Sequence, residues 1–188
     1  MISVDLSCFA NPEFDRGASR LKEMLWTLVR CIFFAPSFPL PSAFRVFWLR
    51  QFGAHIGCGV VIRSKVNITF PWKLTIGDHV WIGEECWLLN LASIKIESHV
   101  CLSQRAFLCT GNHDYTSPTF NLITKPIRVE SGAWIGAGSF VGPSVTVASH
   151  AVLTAGSVAT DDLQPFGIYR GNPAVFVKRR ELTDQSTK

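Results

Sequence analysis

Apolar residues recur at every sixth position in the second half of the chain, from Ile127 to Ala159. A helix would space them by three to four residues, and a half-buried strand would alternate them by two. A period of six fits neither element. It predicts a solenoid of very short strands, each presenting one aliphatic side chain to a central axis. The main column is Val129, Ile135, Val141, Val147, Leu153 and Ala159, and a second column of mostly small residues is Ala133, Ser139, Val145, Ala151 and Ser157.

The same register continues upstream and divides the repeat into coils of three strands. Three strands of six residues predict a triangular coil of 18 residues, and five such coils fit the sequence. The third coil carries a long insertion over residues 110–126, which is more typical of a functional loop than of a passive connection in a tight repeat. The coil triplets are Ile56, Ile62 and Ile68; Ile76, Ile82 and Leu88; Ile96, Leu102 and Leu108; Val129, Ile135 and Val141; and Val147, Leu153 and Ala159.

The segment before the repeat predicts a helical, apolar cap. A helix fits Ser19 to Phe34, with Ser19 or Ala18 near its start and Pro36 ending it. This segment contains no uncharged stretch of about 18 residues, which argues against a transmembrane helix in it. The helix either covers the open end of the solenoid, which we favour, or docks on a membrane surface or a partner. We therefore predict a cap over residues 1–52, an all-β parallel solenoid over 53–163 and a C-terminal extension over 164–188.

Composition bears on partners and location. Hydrophobic residues make up 47% of the chain and charged residues only 17%, so we expect an oligomer that buries part of this apolar surface. The net charge of +4 is modest and partly C-terminal, which argues against a nucleic-acid partner. The six cysteines show no C-x-x-C or zinc spacing, and the polar first dozen residues do not resemble a cleavable signal. A cytoplasmic protein with reduced thiols is expected.

Histidines occur in two settings. His79, His99 and His150 hold the fourth position of their hexapeptides, where Gly59 and Gly132 stand in other coils. A position that accepts both residue types indicates a corner with an unusual backbone conformation, which explains these histidines better than a zinc site does.

His113 differs, because it lies in the long insertion among small and polar neighbours. An imidazole suits proton abstraction near neutral pH, so His113 is the candidate general base. The alternative is a surface histidine without a role. The sequence contains no nucleophile elbow, P-loop or dinucleotide fingerprint that would offer a rival chemistry.

Several motifs together resemble a known family. They are FPWK (70–73), IGEECWL (82–88), CTGNHDY (109–115), LTAGSVATDDL (153–163) and YRGNPA (169–174). With the six-residue period, they resemble the hexapeptide-repeat acyltransferases, and among these the colanic-acid-type (WcaF-like) acetyltransferases. The resemblance implies a left-handed parallel β-helix and a homotrimer with active sites between subunits. It also implies transfer of an acetyl group from acetyl-CoA to a hydroxyl, usually of a sugar, without a metal.

The resemblance also implies roles for individual residues. His113 would act as general base, and a backbone N–H would stabilise the tetrahedral oxyanion. CoA would lie in a groove where coils of neighbouring subunits meet. The implied acceptor-binding residues are Asn112, Asp114, Tyr115 and Glu85, and the implied cofactor-binding residues are Trp134, Ala137, Ala155, Gly156, Thr160 and Lys178.

Two positions depart from the family pattern. Asp161 stands where relatives commonly carry a lysine that helps to hold a CoA phosphate, so the C-terminal Lys178, Arg179 and Arg180 would have to compensate. Gly83, followed by two glutamates, stands where galactoside and maltose acetyltransferases carry an asparagine facing the catalytic histidine. The identity of the acceptor therefore cannot be transferred from those enzymes.

Two alternatives from other functional classes remain open. A metal hydratase of the γ-carbonic-anhydrase kind shares the fold, but it needs three histidines around one metal, and the insertion contains only His113. A catalytically silent β-helix scaffold would not need the His113 loop or the groove. The apolar N-terminal forty residues also leave open a position at the inner membrane surface, near a lipid-linked acceptor.

Overall fold

The computed structural model describes residues 3–11, 14–37 and 39–183 of the 188-residue chain. The ends of the predicted segments 1–52 and 164–188 lie partly outside these residues. The chain forms a left-handed parallel β-helix of triangular coils, with two helices at its N-terminal end. The fold class predicted from the sequence is therefore confirmed.

Two helices form the N-terminal cap, α1 (Arg20–Phe33) and α2 (Ser42–Gln51). Ser19 caps α1 as predicted, because its hydroxyl accepts a hydrogen bond of 3.3 Å from the Lys22 backbone N–H. The indole of Trp26, only 1% exposed, donates to the Ile68 carbonyl at 3.0 Å and joins α1 to the first coil. No helix in the described part of the chain is long and apolar enough to cross a membrane.

Very short strands build three sheets, one on each side of the triangle, and an antiparallel hairpin projects from the third coil. The strands of the first three coils are β1 (His55–Ile56), β2 (Val61–Ile62), β3 (Asn67–Ile68), β4 (Leu74–Ile76), β5 (Trp81–Ile82), β6 (Trp87–Leu89), β7 (Ile94–Ile96), β8 (Cys101–Leu102) and β9 (Phe107–Cys109). The hairpin is β10 (Gly111–His113) and β11 (Leu122–Thr124), and the later strands are β12 (Ile127–Val129), β13 (Trp134–Ile135), β14 (Phe140–Val141), β15 (Thr146–Val147), β16 (Val152–Leu153), β17 (Val158–Ala159), β18 (Gly167–Arg170) and β19 (Val175–Arg179).

The register of the coils agrees with the six-residue columns. On the first sheet, Ile76 pairs with Ile56 and Ile96, and Val129 pairs with Ile96 and Val147. The second and third sheets show the same agreement across all five coils. Apart from the half-buried Ile56, every column residue is at most 2% exposed, so one aliphatic side chain per strand fills the axis.

The corner between the first and second sheets has the predicted unusual backbone. Its residues adopt positive φ, from 54° at His79 to 73° at Gly132. The rings of His79 and His99 stack with centroids 5.3 Å apart, whereas the His150 ring stacks on Phe166 at 4.6 Å. A Cβ on Gly132 would lie 2.8 Å from the His150 ring, which explains why glycine and histidine share this column.

A sixth, partial turn follows the five complete coils. Leu163 bridges to Val147 on the first sheet, and β18 continues the second sheet by pairing Tyr169 with Leu153. Strand β19 then returns antiparallel along β18 and forms the edge of the sheet. Residues assigned to the C-terminal extension from the sequence therefore continue the solenoid.

Candidate functional site

The hairpin that carries His113 leaves the solenoid at the corner between the third and first sheets. Strand β10 pairs with β11, with Asn112 opposite Ile123 and His113 opposite Leu122. At its base the buried Thr110 hydroxyl donates to the Leu89 carbonyl at 2.7 Å and accepts from the Ala92 N–H at 3.0 Å. The loop therefore projects from a fixed origin on the solenoid.

The imidazole of His113 is exposed and held by one hydrogen bond. Its Nδ1 lies 2.7 Å from the carbonyl oxygen of Phe120, across the loop. A carbonyl can only accept, so in the neutral ring Nδ1 carries the proton and Nε2 has a free lone pair. This tautomer and orientation are those required of a general base that acts through Nε2.

The neighbours of His113 mostly shape the loop. The Asn112 side-chain oxygen accepts from the His113 backbone N–H at 2.8 Å. Asp114 accepts from the Thr116 hydroxyl at 2.6 Å and from its backbone N–H at 2.9 Å, and these bonds lower the pKa of Asp114. Tyr115 is 84% exposed and therefore available to a ligand.

The N-terminal segment reaches this loop, a contact that the sequence did not predict. The Asp5 N–H donates to the Pro118 carbonyl at 2.9 Å, and the ring centroids of Phe9 and His113 are 6.4 Å apart. Leu6, Phe9, Phe120 and His113 line an apolar cavity of about 360 Å³. In the sequence, the only sign of this contact is that Leu6 and Phe9 are apolar within an otherwise polar stretch.

Glu85 lies at the opposite corner of the third sheet from the His113 loop, since it precedes β6 whereas His113 follows β9. Its carboxylate bonds to Arg105 at 2.8 Å and to Lys65 at 3.5 Å, and the Arg105 hydrogen bond is the main cause of its lowered pKa. Within one chain, Glu85 and His113 therefore do not lie in the same site. It shares a cavity of about 400 Å³ with Ala137.

Small exposed residues occupy this same corner in the last two complete coils. Lys65, Glu85 and Arg105 occupy the corner in the first three coils, whereas Gly138 and Gly156 follow with φ of 66° and 69°. No atom lies within 4 Å of a Cβ placed on either glycine. The predicted pair Ala155 and Gly156 lies here, and the Gly156 N–H donates to the Ala137 carbonyl at 2.8 Å.

The other predicted cofactor residues lie on different sides of the solenoid. Trp134, 46% exposed on the second sheet, donates from its indole to the Ser103 hydroxyl at 2.9 Å. Thr160 lies at the corner of the hairpin and lines a cavity of about 410 Å³ with Asn112. Lys178 is exposed on the edge strand β19, opposite Ile168. One chain alone does not bring these three together.

The cysteine thiols near these residues are poor nucleophiles. Burial raises the pKa of Cys86 to about 12, and it also raises the pKa of Cys101 and Cys109. Cys109 lies closest in sequence to the His113 loop, and its thiol donates to the Gly111 carbonyl at 3.1 Å. These groups are therefore held as neutral thiols.

The corner histidines face each other through their ring planes. The His79 and His99 rings are 15° from parallel, so their in-plane nitrogen lone pairs do not converge on one point. Among residues 3–11, 14–37 and 39–183, no group of three or more histidine, cysteine, aspartate or glutamate residues is arranged to hold a metal ion.

Comparison with known proteins identifies the family, although no family model matches the chain. A protein of Escherichia coli (strain K12), named as the colanic acid biosynthesis acetyltransferase WcaF, is 41% identical over 180 residues, covering 96% of this chain and 99% of that protein. The crystal structure of a hexapeptide-repeat acetyltransferase from Vibrio cholerae superimposes with a TM-score of 0.77 at 25% identity, covering 86% of this chain and 92% of that one. The structure of that enzyme with acetyl coenzyme A has a TM-score of 0.80 at 24% identity, covering 92% and 96%, which shows the shared fold.

The match to WcaF extends over 180 of the 188 residues, so it covers the solenoid as a whole and not one isolated motif. Together with the solenoid fold, it leaves one assignment: the chain belongs to the family of hexapeptide-repeat acetyltransferases.

Proposed function

We propose that the protein transfers the acetyl group of acetyl-CoA to a hydroxyl of a sugar in the biosynthesis of an exopolysaccharide or another surface glycan. The observation that carries this proposal is the hydrogen bond between His113 Nδ1 and the Phe120 carbonyl, which leaves Nε2 free in an exposed loop. The name of the E. coli relative, which includes colanic acid biosynthesis, supports the acceptor class. We further propose a homotrimer, because the acceptor and cofactor residues are separated within one chain.

In the proposed reaction, His113 Nε2 accepts the proton of the acceptor hydroxyl while its oxygen attacks the thioester carbonyl. The new C–O bond forms, the C–S bond breaks, and the proton passes from the imidazolium to the departing sulfur. A backbone N–H would stabilise the intermediate oxyanion. The raised pKa of Cys109 supports direct transfer rather than an acetylated cysteine.

The uncovered corner at Ala137, Gly138, Ala155 and Gly156 would form the groove for the pantetheine arm of CoA in the assembled trimer. Glycine leaves the backbone uncovered, and a Cβ on either glycine would meet no other atom of the chain, so a slender ligand has access to backbone N–H and C=O groups. Trp134, Thr160 and Lys178 would contact the same ligand from neighbouring subunits.

The test is thiol release from acetyl-CoA with a panel of sugar acceptors, measured for wild type and His113→Ala. We expect kcat/KM to fall by roughly 10²–10⁴-fold, the usual contribution of a positioned general base. His99→Ala is the control, because this corner ring stacks on His79 and should affect unfolding rather than transfer. Near-normal transfer by His113→Ala would refute the assignment, and a wild type that releases no thiol with any acceptor would favour a silent scaffold.

A further inference from the structure

The hairpin of β10 and β11 separates two cavities, and only one of them includes the candidate base. Successive side chains of a strand point to opposite faces, so Asn112 and His113 lie on different sides of the hairpin. Asn112 lines the cavity of about 410 Å³ that also includes Thr160. His113 lines the cavity of about 360 Å³ that also includes Leu6 and Phe9. We call the second one the His113 cavity, and it determines what can lie beside the imidazole.

The walls of the His113 cavity are apolar. Of the four described residues that line it, only His113 has a polar side chain, and the Phe120 carbonyl is already engaged with Nδ1 at 2.7 Å. Leu6 is 57% exposed and Phe9 is 43% exposed, so the cavity is open to solvent. Its volume lies within the range of about 300–1,000 Å³ that is usual for small-molecule sites. A ligand can therefore enter, but its main polar partner there is the imidazole.

The N-terminal wall of the cavity is held by specific bonds. The Asp5 N–H donates to the Pro118 carbonyl at 2.9 Å, which joins the segment to the hairpin loop. The Asp5 carboxylate accepts from the Ser7 N–H at 3.0 Å and from its hydroxyl at 2.6 Å, and so caps the short 3-10 turn Leu6–Cys8. None of the residues of this turn is buried in the core. Burial in the solenoid therefore does not account for the apolar side chains that face His113.

The imidazole selects the occupant. If His113 is the base of the proposed reaction, on which this inference rests, the acceptor lies against these walls when its hydroxyl meets Nε2. Sugar hydroxyls pressed on apolar walls would lose water without gaining hydrogen bonds, whereas an apolar group gains from burial. One methyl group would leave most of about 360 Å³ empty, since a water molecule takes up only about 30 Å³ in the liquid. We propose that the acceptor is a glycoside whose apolar aglycone fills the His113 cavity.

The test compares butyl and glyceryl glycosides of glucose, galactose and mannose, because the two aglycones differ in polarity but hardly in size. In thiol release from acetyl-CoA, kcat/KM should be at least about tenfold higher for the butyl member of each accepted pair, since each buried methylene contributes about fourfold. The double variant Leu6→Ser, Phe9→Ser should lose most of this preference. Val4→Ser is the matched control and should keep it, since Val4 is 58% exposed in the same segment but does not line the cavity.

A second measurement does not depend on turnover. In NMR titrations of the full chain, butyl glucoside should shift the His113 ring protons at about tenfold lower concentration than glyceryl glucoside does, and less so in the double variant. Equal affinities, equal kcat/KM within every accepted pair, or a preference that survives in the double variant would overturn the proposal.

The remaining outcomes separate it from its alternatives. Butyl glucoside that binds at His113 while no glycoside releases thiol would count against acetyl transfer to these sugars and leave the apolar specificity standing. If the double variant instead alters the choice between acetyl-CoA and butyryl-CoA, the cavity holds the acyl chain and the proposal is wrong. Circular dichroism should show the same fold in all variants, because the replaced side chains lie outside the core.

Discussion

Replacing Gly156 by asparagine tests the groove without disturbing the core. Gly156 has φ of 69°, a region that costs an ordinary L-residue about 1–2 kcal/mol but that asparagine tolerates better. Loss of glycine flexibility in the unfolded chain offsets this cost by about 0.4–1 kcal/mol. Since a Cβ here meets no atom within 4 Å, the free energy of unfolding should change by less than about 1 kcal/mol.

The effect on cofactor use should be much larger. The asparagine amide would occupy the space that we assign to the pantetheine arm, directly beside the backbone of Ala137. We expect KM for acetyl-CoA to rise at least about tenfold, equivalent to about 1.4 kcal/mol, with a smaller change in kcat.

The assay is thiol release at varied acetyl-CoA, paired with urea unfolding of each variant. Lys65→Asn is the matched control, because Lys65 holds the same corner in the first coil with φ of 58°. Its KM should stay within about a factor of two of wild type. If Gly156→Asn unfolds like wild type and keeps the wild-type KM, acetyl-CoA does not follow this groove.

Two further predictions concern stability. Gly136→Ala should lower the free energy of unfolding by about 3 kcal/mol or more, because the new Cβ would lie 2.4 Å from the Ala155 backbone nitrogen in the next coil. Gly138→Ala is the control: its Cβ meets no atom within 4 Å, so the loss should be at most about 2 kcal/mol. Equal urea midpoints for the two variants would contradict this prediction. The hydrogen bond from Arg128 lowers the pKa of Glu97 below its ordinary value of 4.5. The ionised Glu97 carboxylate therefore stabilises the folded protein fully above pH 4.5, and this stabilisation is lost as the pH falls through the lowered pKa. Glu97→Gln should therefore reduce the loss of stability on acidification by up to about 1 kcal/mol, and an unchanged pH profile of unfolding would contradict it.

One prediction concerns the acceptor side. Phe9→Ala should raise KM for the acceptor severalfold and leave KM for acetyl-CoA unchanged, because Phe9 forms one wall of the cavity beside His113. An equal change in both constants would show that Phe9 acts through the shape of the whole loop.

The register of the solenoid could be predicted because each strand buries one aliphatic side chain at a fixed place. Ile96 and Val129 are paired on neighbouring strands although 33 residues separate them in sequence. The pairing is preserved because the hairpin between them leaves the coil and returns to it at the same corner. The corner glycines and histidines could be recognised for a related reason. They share a positive φ, which restricts the residues that stack there.

The sixth turn was missed because its step differs from that of the earlier coils. Leu163 lies 16 residues after Val147, and Tyr169 lies 16 after Leu153, whereas the fifth coil begins 18 residues after the fourth. An aromatic ring also replaces the aliphatic residue at Tyr169, which is 8% exposed. A pattern based on a constant period and residue type therefore ends at Ala159.

Contacts of the N-terminal segment could not be predicted from the sequence. Asp5 and Phe9 meet the His113 loop through one backbone hydrogen bond and one ring contact. Neither contact repeats along the chain, so no period marks it. Nor does local propensity determine where a short segment folds back over a distant loop.

The C-terminal cations that were expected to compensate for Asp161 do not act as one cluster. Arg180 donates to the carbonyls of Gly132 and His150, both at 3.0 Å, and therefore fixes a corner of the solenoid. Arg179 lies with its guanidinium 5.5 Å from the Phe166 ring centroid. Lys178 precedes both on β19, where it pairs with Ile168, and its side chain is exposed to solvent. Because a phosphate needs a cation that is not already engaged by the fold, Lys178 is the residue of these three best suited to offset the charge of Asp161.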